Sequence, residues 1–174
     1  MPNEPIKFWT FSLQLYDQDG VAAACLELQD AYKLDVNLVL FCFWHGSAYG
    51  EADQELLQKV IELSREWRSH VVQPLRSART WMKINPSPSN QFDNLRDRIK
   101  ADELMAEKFQ QEKIANLTFE FNSDRQCLLG FDDIGKNVDS LLHAIEIERN
   151  DKITSRLDIL RSALDNAQIS SEMN

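Results

Sequence analysis

The residues best suited to chemistry in this chain are arginines and tryptophans clustered between positions 65 and 83. That stretch contains five basic residues and a single acidic one, Glu66, so it carries a charge of +4 in a chain whose net charge is −9. An arginine guanidinium can bind a carboxylate or a phosphate through two parallel hydrogen bonds, and tryptophan is a frequent anchor at interfaces. The candidate partner- or anion-binding residues are Arg65, Trp67, Arg68, Arg76, Arg79 and Trp81.

Two functions fit this basic cluster, and they predict different surfaces around it. The first is a non-enzymatic protein-interaction or adaptor module, in which an exposed basic strip grips an acidic partner. The second is a small-anion-binding helical protein or enzyme, with Arg76, Arg79 and Asp30 lining a pocket between helices. A flat strip favours the first function, and a convergent pocket favours the second. Pairing of the arginines with acidic helices of the same chain is the structural alternative to both, and the acidic composition favours that pairing.

Clusters of carboxylates are the second kind of candidate, because divalent cations prefer oxygen ligands. Glu27 and Asp30 share a helix face and Asp35 follows closely, but no second acidic motif stands opposite them. Glu103 and Glu107 lie one turn apart, yet a di-iron site in a helical bundle also requires Glu-x-x-His motifs, which the sequence lacks. We therefore expect Asp30 and Asp35 to cap and bond locally, Glu103 and Glu107 to lie on a solvated helix face, and no metal or cofactor.

Nucleophilic catalysis is the third kind of chemistry, and Cys42 and His45 are the candidate nucleophile and base for it. The two residues are three positions apart and would meet on a helix face. An apolar environment raises the pKa of a thiol and makes it inert, so we interpret Cys42 as a core residue. Glycine-rich nucleotide-binding loops and Cys-x-x-Cys motifs are also absent from the sequence. No catalytic residue is predicted, and a non-enzymatic role is favoured.

Composition limits the partners and the location of the protein. A net charge of −9, with an isoelectric point near 4.8, argues against attraction to nucleic acids or anionic membranes. The first residues show no charged region followed by a long apolar run, so no signal peptide is predicted. The cysteines, Cys25, Cys42 and Cys127, are odd in number and widely spaced, which indicates reduced thiols in a cytoplasmic protein. The oligomeric state stays open.

The central structural element is predicted at Asp35–Trp44, where eight of the nine residues after Asp35 are apolar. An element that is apolar on every side must be surrounded by protein, and this one is too short to cross a bilayer. Asp35 is a suitable N-cap for a helix. A buried strand would also fit the pattern, but the one other strand-like stretch is residues 117–121. We therefore predict a buried central helix, followed by a turn at His45–Gly50.

Helical spacing of apolar residues accounts for the rest of the chain, so the predicted fold is all-α and forms one compact domain. Helices are expected at residues 5–16, 21–32, 51–83 with Pro74 as a kink or restart, and 91–121. The long helix should bury the stripe Phe92, Leu95, Ile99, Ala106, Phe109, Ile114, Leu117 and Phe121.

The predicted domain organisation is a helical core over residues 1–121, with a polar, proline-containing linker at residues 85–90. Residues 122–168 should form a C-terminal helical pair that packs on the core or projects from it. Whether residues 134–168 make one helix or two is left open, and residues 169–174 should be a frayed tail.

Four segments of the sequence carry a family resemblance. They are Trp9-x-Phe-Ser-Leu-x-Leu-Tyr16, Cys25-Leu-x-Leu-Gln-Asp30, Asp35-Val-Asn-Leu-x-Leu-Phe-Cys-x-Trp44 and Trp67-Arg-x-x-Val-Val-x-Pro-Leu-Arg76. Together they resemble an uncharacterised domain-of-unknown-function family of short proteobacterial proteins, over roughly residues 8–115. The resemblance implies a small bacterial, cytoplasmic protein and supplies no catalytic residue.

Overall fold

A computed structural model describes residues 6–123 and 132–167, and in these two ranges every regular element is helical. The helices are α1 Phe8–Tyr16, α2 Val21–Tyr32, α3 Val36–Ala48, α4 Gln54–Trp67, α5 Gln73–Ile84, α6 Asn90–Asn122, α7 Asp133–Ala144 and α8 Asp151–Ala167, with a π-helical turn at Arg68–Val72. The all-α prediction is confirmed. Cys127 and the expected frayed tail at 169–174 lie outside the described residues.

Helix α3 is the centre of the fold, as its apolar sequence predicts. The side chain of Asp35 caps it by accepting a hydrogen bond of 2.9 Å from the backbone N–H of Asn37. Every residue from Asn37 to Gly46 is buried, and Phe41 is fully enclosed. The turn predicted at His45–Gly50 is wrong in its first part, because α3 continues to Ala48. The reason is tertiary, since α7 packs so closely that a Cβ on Gly46 would lie 2.8 Å from the Ile134 backbone.

Helices α1, α2, α4, α6 and α7 contact α3 and enclose it. Phe8 of α1 stacks on Trp44 with ring centroids 4.8 Å apart, and the indole N–H of Trp44 donates to the carbonyl of Ile6 at 2.7 Å. Helix α2 buries Val21, Ala24, Cys25 and Leu28 and packs on α8. The open question about residues 134–168 resolves as two helices, because Asn150 caps α8 through a 2.9 Å bond from the N–H of Ile153.

Helices α4 and α5 form one continuous helical run through the π-helical turn. Proline has no N–H and its ring collides with the carbonyl four residues earlier, so a regular α-helix cannot pass through Pro74 unchanged. The wider π-helical turn before α5 accommodates the proline, and it places Arg68 at the start of the widened segment. Residues 85–89 are exposed and lead into α6, which packs back along α5 and α4.

Candidate ligand-binding cavity

A cavity of about 270 Å³ opens between α1, α2, α3, the π-helical turn, α5 and α6. We call it the inter-helical cavity. Its apolar wall comes from α1, α2 and α3 and includes Leu13, Leu26 and Leu40. Its polar wall comes from α3, α5 and α6. A larger depression of about 710 Å³, bordered by acidic residues such as Asp17 and Asp158, is an open surface hollow, and none of the described residues that line it has an unpaired buried polar atom.

The arginines of α5 are bound by glutamates of α6 on the polar wall. Arg76 Nε donates to Glu103 Oε1 at 2.8 Å, and its Nη2 donates to Glu107 Oε1. Arg79 donates to both oxygens of Glu103, at 3.2 Å through Nη2. Glu103 is only 6% exposed, so the prediction that this glutamate lies on a solvated helix face is wrong. Its burial is possible because two guanidinium groups compensate for the water that it loses.

These contacts set the protonation behaviour of the polar wall. Burial alone would raise the pKa of Glu103, but hydrogen bonds from Arg79 and Arg76 outweigh it and hold that pKa below its usual value. Desolvation raises the pKa of Glu107, with Arg76 opposing the rise and Glu103 adding to it. Desolvation also raises the pKa of Asp35, and the positive charge of Arg68 offsets it only in part. The wall therefore holds one firmly ionised carboxylate and two that gain protons more readily.

A chain of side-chain amides continues the polar wall away from the arginines. Gln110 Nε2 donates to Asp35 Oδ2 at 3.2 Å. Asn37 Nδ2 donates to Gln110 Oε1 at 3.0 Å, and Gln111 Nε2 donates to Asn37 Oδ1 at 2.8 Å. All four residues line the inter-helical cavity. The chain links helices α3 and α6 through contacts that span more than 70 residues of sequence.

Two polar atoms in the cavity wall are buried and make no hydrogen bond to any described residue. They are Ser12 Oγ, on a residue 4% exposed, and Gln111 Oε1, on a residue 2% exposed. Buried polar atoms are nearly always hydrogen-bonded, because leaving one unpaired costs the free energy of its desolvation. Two such atoms lining one cavity indicate that a polar group belongs between the helices.

The structure brings part of the sequence-predicted set together at this cavity. Arg68, Arg76 and Arg79 all line it. Asp30 is exposed and lies outside the lining, and Asp35 occupies the acidic position instead. The guanidinium of Arg68 makes no hydrogen bond or salt bridge to a described residue, although its charge acts on Asp35.

The other members of that set lie elsewhere. The indole N–H of Trp67 donates to the carbonyl of Ala106 at 2.9 Å, and its ring lies 4.8 Å from that of Phe109. Arg65 is exposed on α4, beside a separate groove that it shares with Arg68. Trp81 is 61% exposed near the end of α5. The six residues therefore do not form one continuous basic strip.

The cavity residues absent from the sequence-based set include polar side chains of α1, α3 and α6. On α6, Gln110 and Gln111 lie seven and eight residues after Glu103, which is the spacing of one helix face. A search for polar residues at helical spacing would have found that face. Ser12, by contrast, carries no sequence signal.

Cys25 of α2 and Cys42 of α3 lie in environments that keep their thiols protonated. The thiol of Cys42 donates to the carbonyl of Asn137 at 3.4 Å, while Nδ1 of His45 lies 3.0 Å from the carbonyl of Gly50. Burial raises the pKa of the Cys42 thiol and that of Cys25, the latter to about 12. Nowhere in residues 6–123 and 132–167 do three His, Cys, Asp or Glu side chains gather as a metal-holding group. None of the described helices combines the length and apolar character that a membrane span requires.

Comparison with known proteins identifies the family of the chain. The match covers residues 7–114, from the start of α1 into α6, and includes every residue that lines the inter-helical cavity. Helices α7 and α8 lie beyond it, although they pack on α3 and α2. No curated protein and no solved structure matches the chain. Because the family model covers more than half of the chain, the protein belongs to the family described as "Protein of unknown function (DUF2390)".

Proposed function

We propose that the protein binds a small ligand in the inter-helical cavity. The observation that carries this proposal is the convergence of arginines and carboxylates from different helices on one partly enclosed space that also has an apolar wall. Ligand sites combine concavity, apolar lining and a few placed polar groups in this way. A volume of about 270 Å³ is near the lower end of ligand pockets, roughly 300 Å³, so the ligand is small.

The charges around the cavity restrict the ligand. The cavity lining contains three arginines and three carboxylates. The arginines are Arg68, Arg76 and Arg79, and the carboxylates are Asp35, Glu103 and Glu107. A simple anion would compete with Glu103 and Glu107 for arginines that they already hold. Arg68 makes no ion pair with a described residue, but its positive charge is offset by the neighbouring Asp35. The ligand is therefore a polar molecule of low net charge, and not a bare anion such as phosphate.

A fragment screen with a paired set of variants tests the proposal. Leu104 lines the cavity and is 52% exposed, so Leu104→Trp places a large side chain at its rim. Met105, the next residue, is 63% exposed and outside the lining, and Met105→Trp is the matched control. Saturation-transfer NMR should find fragments that bind the wild type and Met105→Trp but not Leu104→Trp. A screen in which every hit binds all three proteins equally would contradict the proposal.

Binding of a protein partner is a second candidate, favoured by the exposed apolar surface of the α5 end. Trp81 is 61% exposed and Ile84 is 73% exposed, with Lys83 between them. Large exposed aromatic residues are typical anchors in interfaces. A partner captured by the wild type and by Phe119→Ala, but not by Trp81→Ala, would support this candidate once the purified pair is titrated. Phe119 is a suitable control because it is 67% exposed on α6. Equal capture by all three proteins would remove Trp81 as an anchor.

A further inference from the structure

We propose that Gln111 and Ser12 recognise the ligand, and that the ligand is a small aliphatic amide, amine or alcohol which presents a hydrogen-bond donor to Gln111 Oε1. This inference rests on the proposed binding in the inter-helical cavity. It deepens that proposal by naming the chemical group that the polar wall selects.

The direction of the amide chain is fixed at its far end by Asp35. Asp35 Oδ1 accepts from the backbone N–H of Asn37, and its Oδ2 accepts from the NH₂ of Gln110. The oxygen of Gln110 then faces Asn37, which must offer its own NH₂. The oxygen of Asn37 in turn requires the NH₂ of Gln111. Each amide thus passes the same orientation to the next one.

The orientation of the amides determines which atom of Gln111 is available to a ligand in the cavity. Gln111 donates one N–H of its NH₂ to Asn37, and its buried carbonyl oxygen, which accepts and cannot donate, is bonded by no described residue. Hydrogen bonds in such a chain polarise one another, which strengthens the acceptor at its end. Ser12 Oγ, the second unpaired atom of the wall, can either donate or accept. The cavity therefore demands at least one donor from its ligand.

The remaining walls define the body of the ligand. Leu13, Leu26, Val36 and Leu40 supply apolar surface around the cavity. A carboxylate or phosphate oxygen would repel Gln111 Oε1, since both are acceptors, and Arg76 is already held by Glu103 and Glu107. A site built to pair a donor discriminates strongly against an analogue that lacks one, because its buried polar group is left unpaired. A short branched hydrocarbon with an N–H or O–H head meets these requirements.

Three probes with the same branched tail and different heads test the inference: isovaleramide, isoamylamine and isovalerate. Titrations followed by ¹H–¹⁵N NMR should show the side-chain NH₂ signal of Gln111 and the backbone signal of Ser12 shifting with isovaleramide or isoamylamine. Isovalerate should bind at least tenfold more weakly than the better of those two. Gln111→Met should weaken isovaleramide at least tenfold, while Gln58→Met, at an exposed glutamine of α4, should leave its affinity unchanged.

A variant at the far end of the amide chain tests the stated cause. Asp35→Asn retains a capping side chain for α3, but its NH₂ can take the place of the oxygen that accepts from Gln110, so the amides lose their imposed direction. The preference for isovaleramide over isovalerate should shrink in that variant. An unchanged preference would refute the role of Asp35 and, with it, the ordered chain.

The outcomes separate this inference from the proposed function. Equal binding of isovalerate and isovaleramide, or binding of none of the three probes while cavity-dependent fragments are found, overturns the donor rule and leaves cavity binding in place. Probe binding that survives Leu104→Trp places the site elsewhere and overturns both. Tenfold selectivity that disappears in Gln111→Met supports both.

Discussion

Arg76 Nε donates to Glu103 Oε1 at 2.8 Å, although the two residues are 27 positions apart. Both side chains are mostly withdrawn from solvent, with 17% and 8% of their surfaces exposed. The contact fastens α5 to α6 and forms the polar edge of the inter-helical cavity. Because of this contact, Arg76 and Glu103 lie in the wall of a cavity and not on an exposed strip.

Reversing the charge of both α5 arginines should destabilise the protein. In Arg76→Glu with Arg79→Glu, Glu103 would stay buried among carboxylates with no cation to compensate it. Loss of one side of a buried ion pair costs about 3–5 kcal/mol, and chemical denaturation should show a loss of at least that size. The control is Arg98→Glu, at an exposed position of α6, which should change the free energy of unfolding by less than about 0.5 kcal/mol. A double variant as stable as the wild type would contradict internal pairing and would indicate that the two arginines lie on a free surface.

The pH dependence of stability should carry opposite contributions from Glu103 and Asp35. The pKa of Glu103 is lowered in the folded protein, so its contribution is complete above the ordinary glutamate value of 4.5 and is lost as pH falls below it. The difference in unfolding free energy between the wild type and Glu103→Gln should therefore shrink on acidification below about pH 4.5. A difference that grows in that range would contradict the lowered pKa.

Asp35 should show the reverse trend. Its pKa is raised in the folded protein, so its contribution is complete below the ordinary aspartate value of 3.8 and is lost as pH rises through the higher folded value. The stability of the wild type relative to Asp35→Asn should accordingly decline as pH increases from 3.8. Denaturation of both proteins across this range measures the trend, and a constant difference would show that burial leaves this carboxyl unperturbed.

Gly46→Ala should destabilise the junction of α3 and α7. An added Cβ would lie 2.7 Å from Ile134 Cγ1 and 2.8 Å from the Ile134 backbone N and Cα. Overpacking of this kind costs about 1–3 kcal/mol. The second change Ile134→Ala should fail to restore stability, because two of the three close atoms belong to the backbone. Full recovery in that double variant would mean that only the side chain limits the approach of the helices.

Phe41→Ala should cost about 3–5 kcal/mol, as expected for a large side chain that is fully buried. Phe119→Ala is the matched control, because Phe119 is 67% exposed. Thermal and chemical denaturation of the two variants should differ by most of that amount. Equal stability would remove α3 from the centre of the core.

The sequence predicts the fold better than it predicts the site, for a physical reason that α3 and α6 illustrate. Helix α3 is apolar on every side, and burial follows directly from that. Helix α6 instead buries Glu103, Gln110, Gln111 and Thr118 together with Ala106 and Ile114. Within the predicted apolar stripe, Leu95 and Phe109 are 49% and 41% exposed, so that part of the prediction is wrong. Apolar periodicity cannot detect a polar face whose burial depends on partners such as Asn37, more than 70 residues away.

The basic cluster shows the same limit. Local charge alone is compatible with a free strip, a pocket and internal pairing. Which of the three arrangements forms depends on which face of α6 packs against α5. The exposed residues that connect α5 to α6 do not indicate that face. The packing of α7 and α8 on α3 and α2 is likewise set by tertiary contacts, such as the close approach of Ile134 to Gly46.

The most direct test of ligand binding in the inter-helical cavity is a crystal structure of the protein grown with saturating isovaleramide. We expect the probe to lie between α1, α3 and α6, with its NH₂ group within hydrogen-bonding distance of Gln111 Oε1 and its branched tail against Leu40. Ser12 Oγ should contact the probe or a water bound to it. A structure in which Gln111 and Ser12 have turned to bond each other and closed the cavity, with the probe elsewhere or absent, would contradict both the cavity and its donor rule.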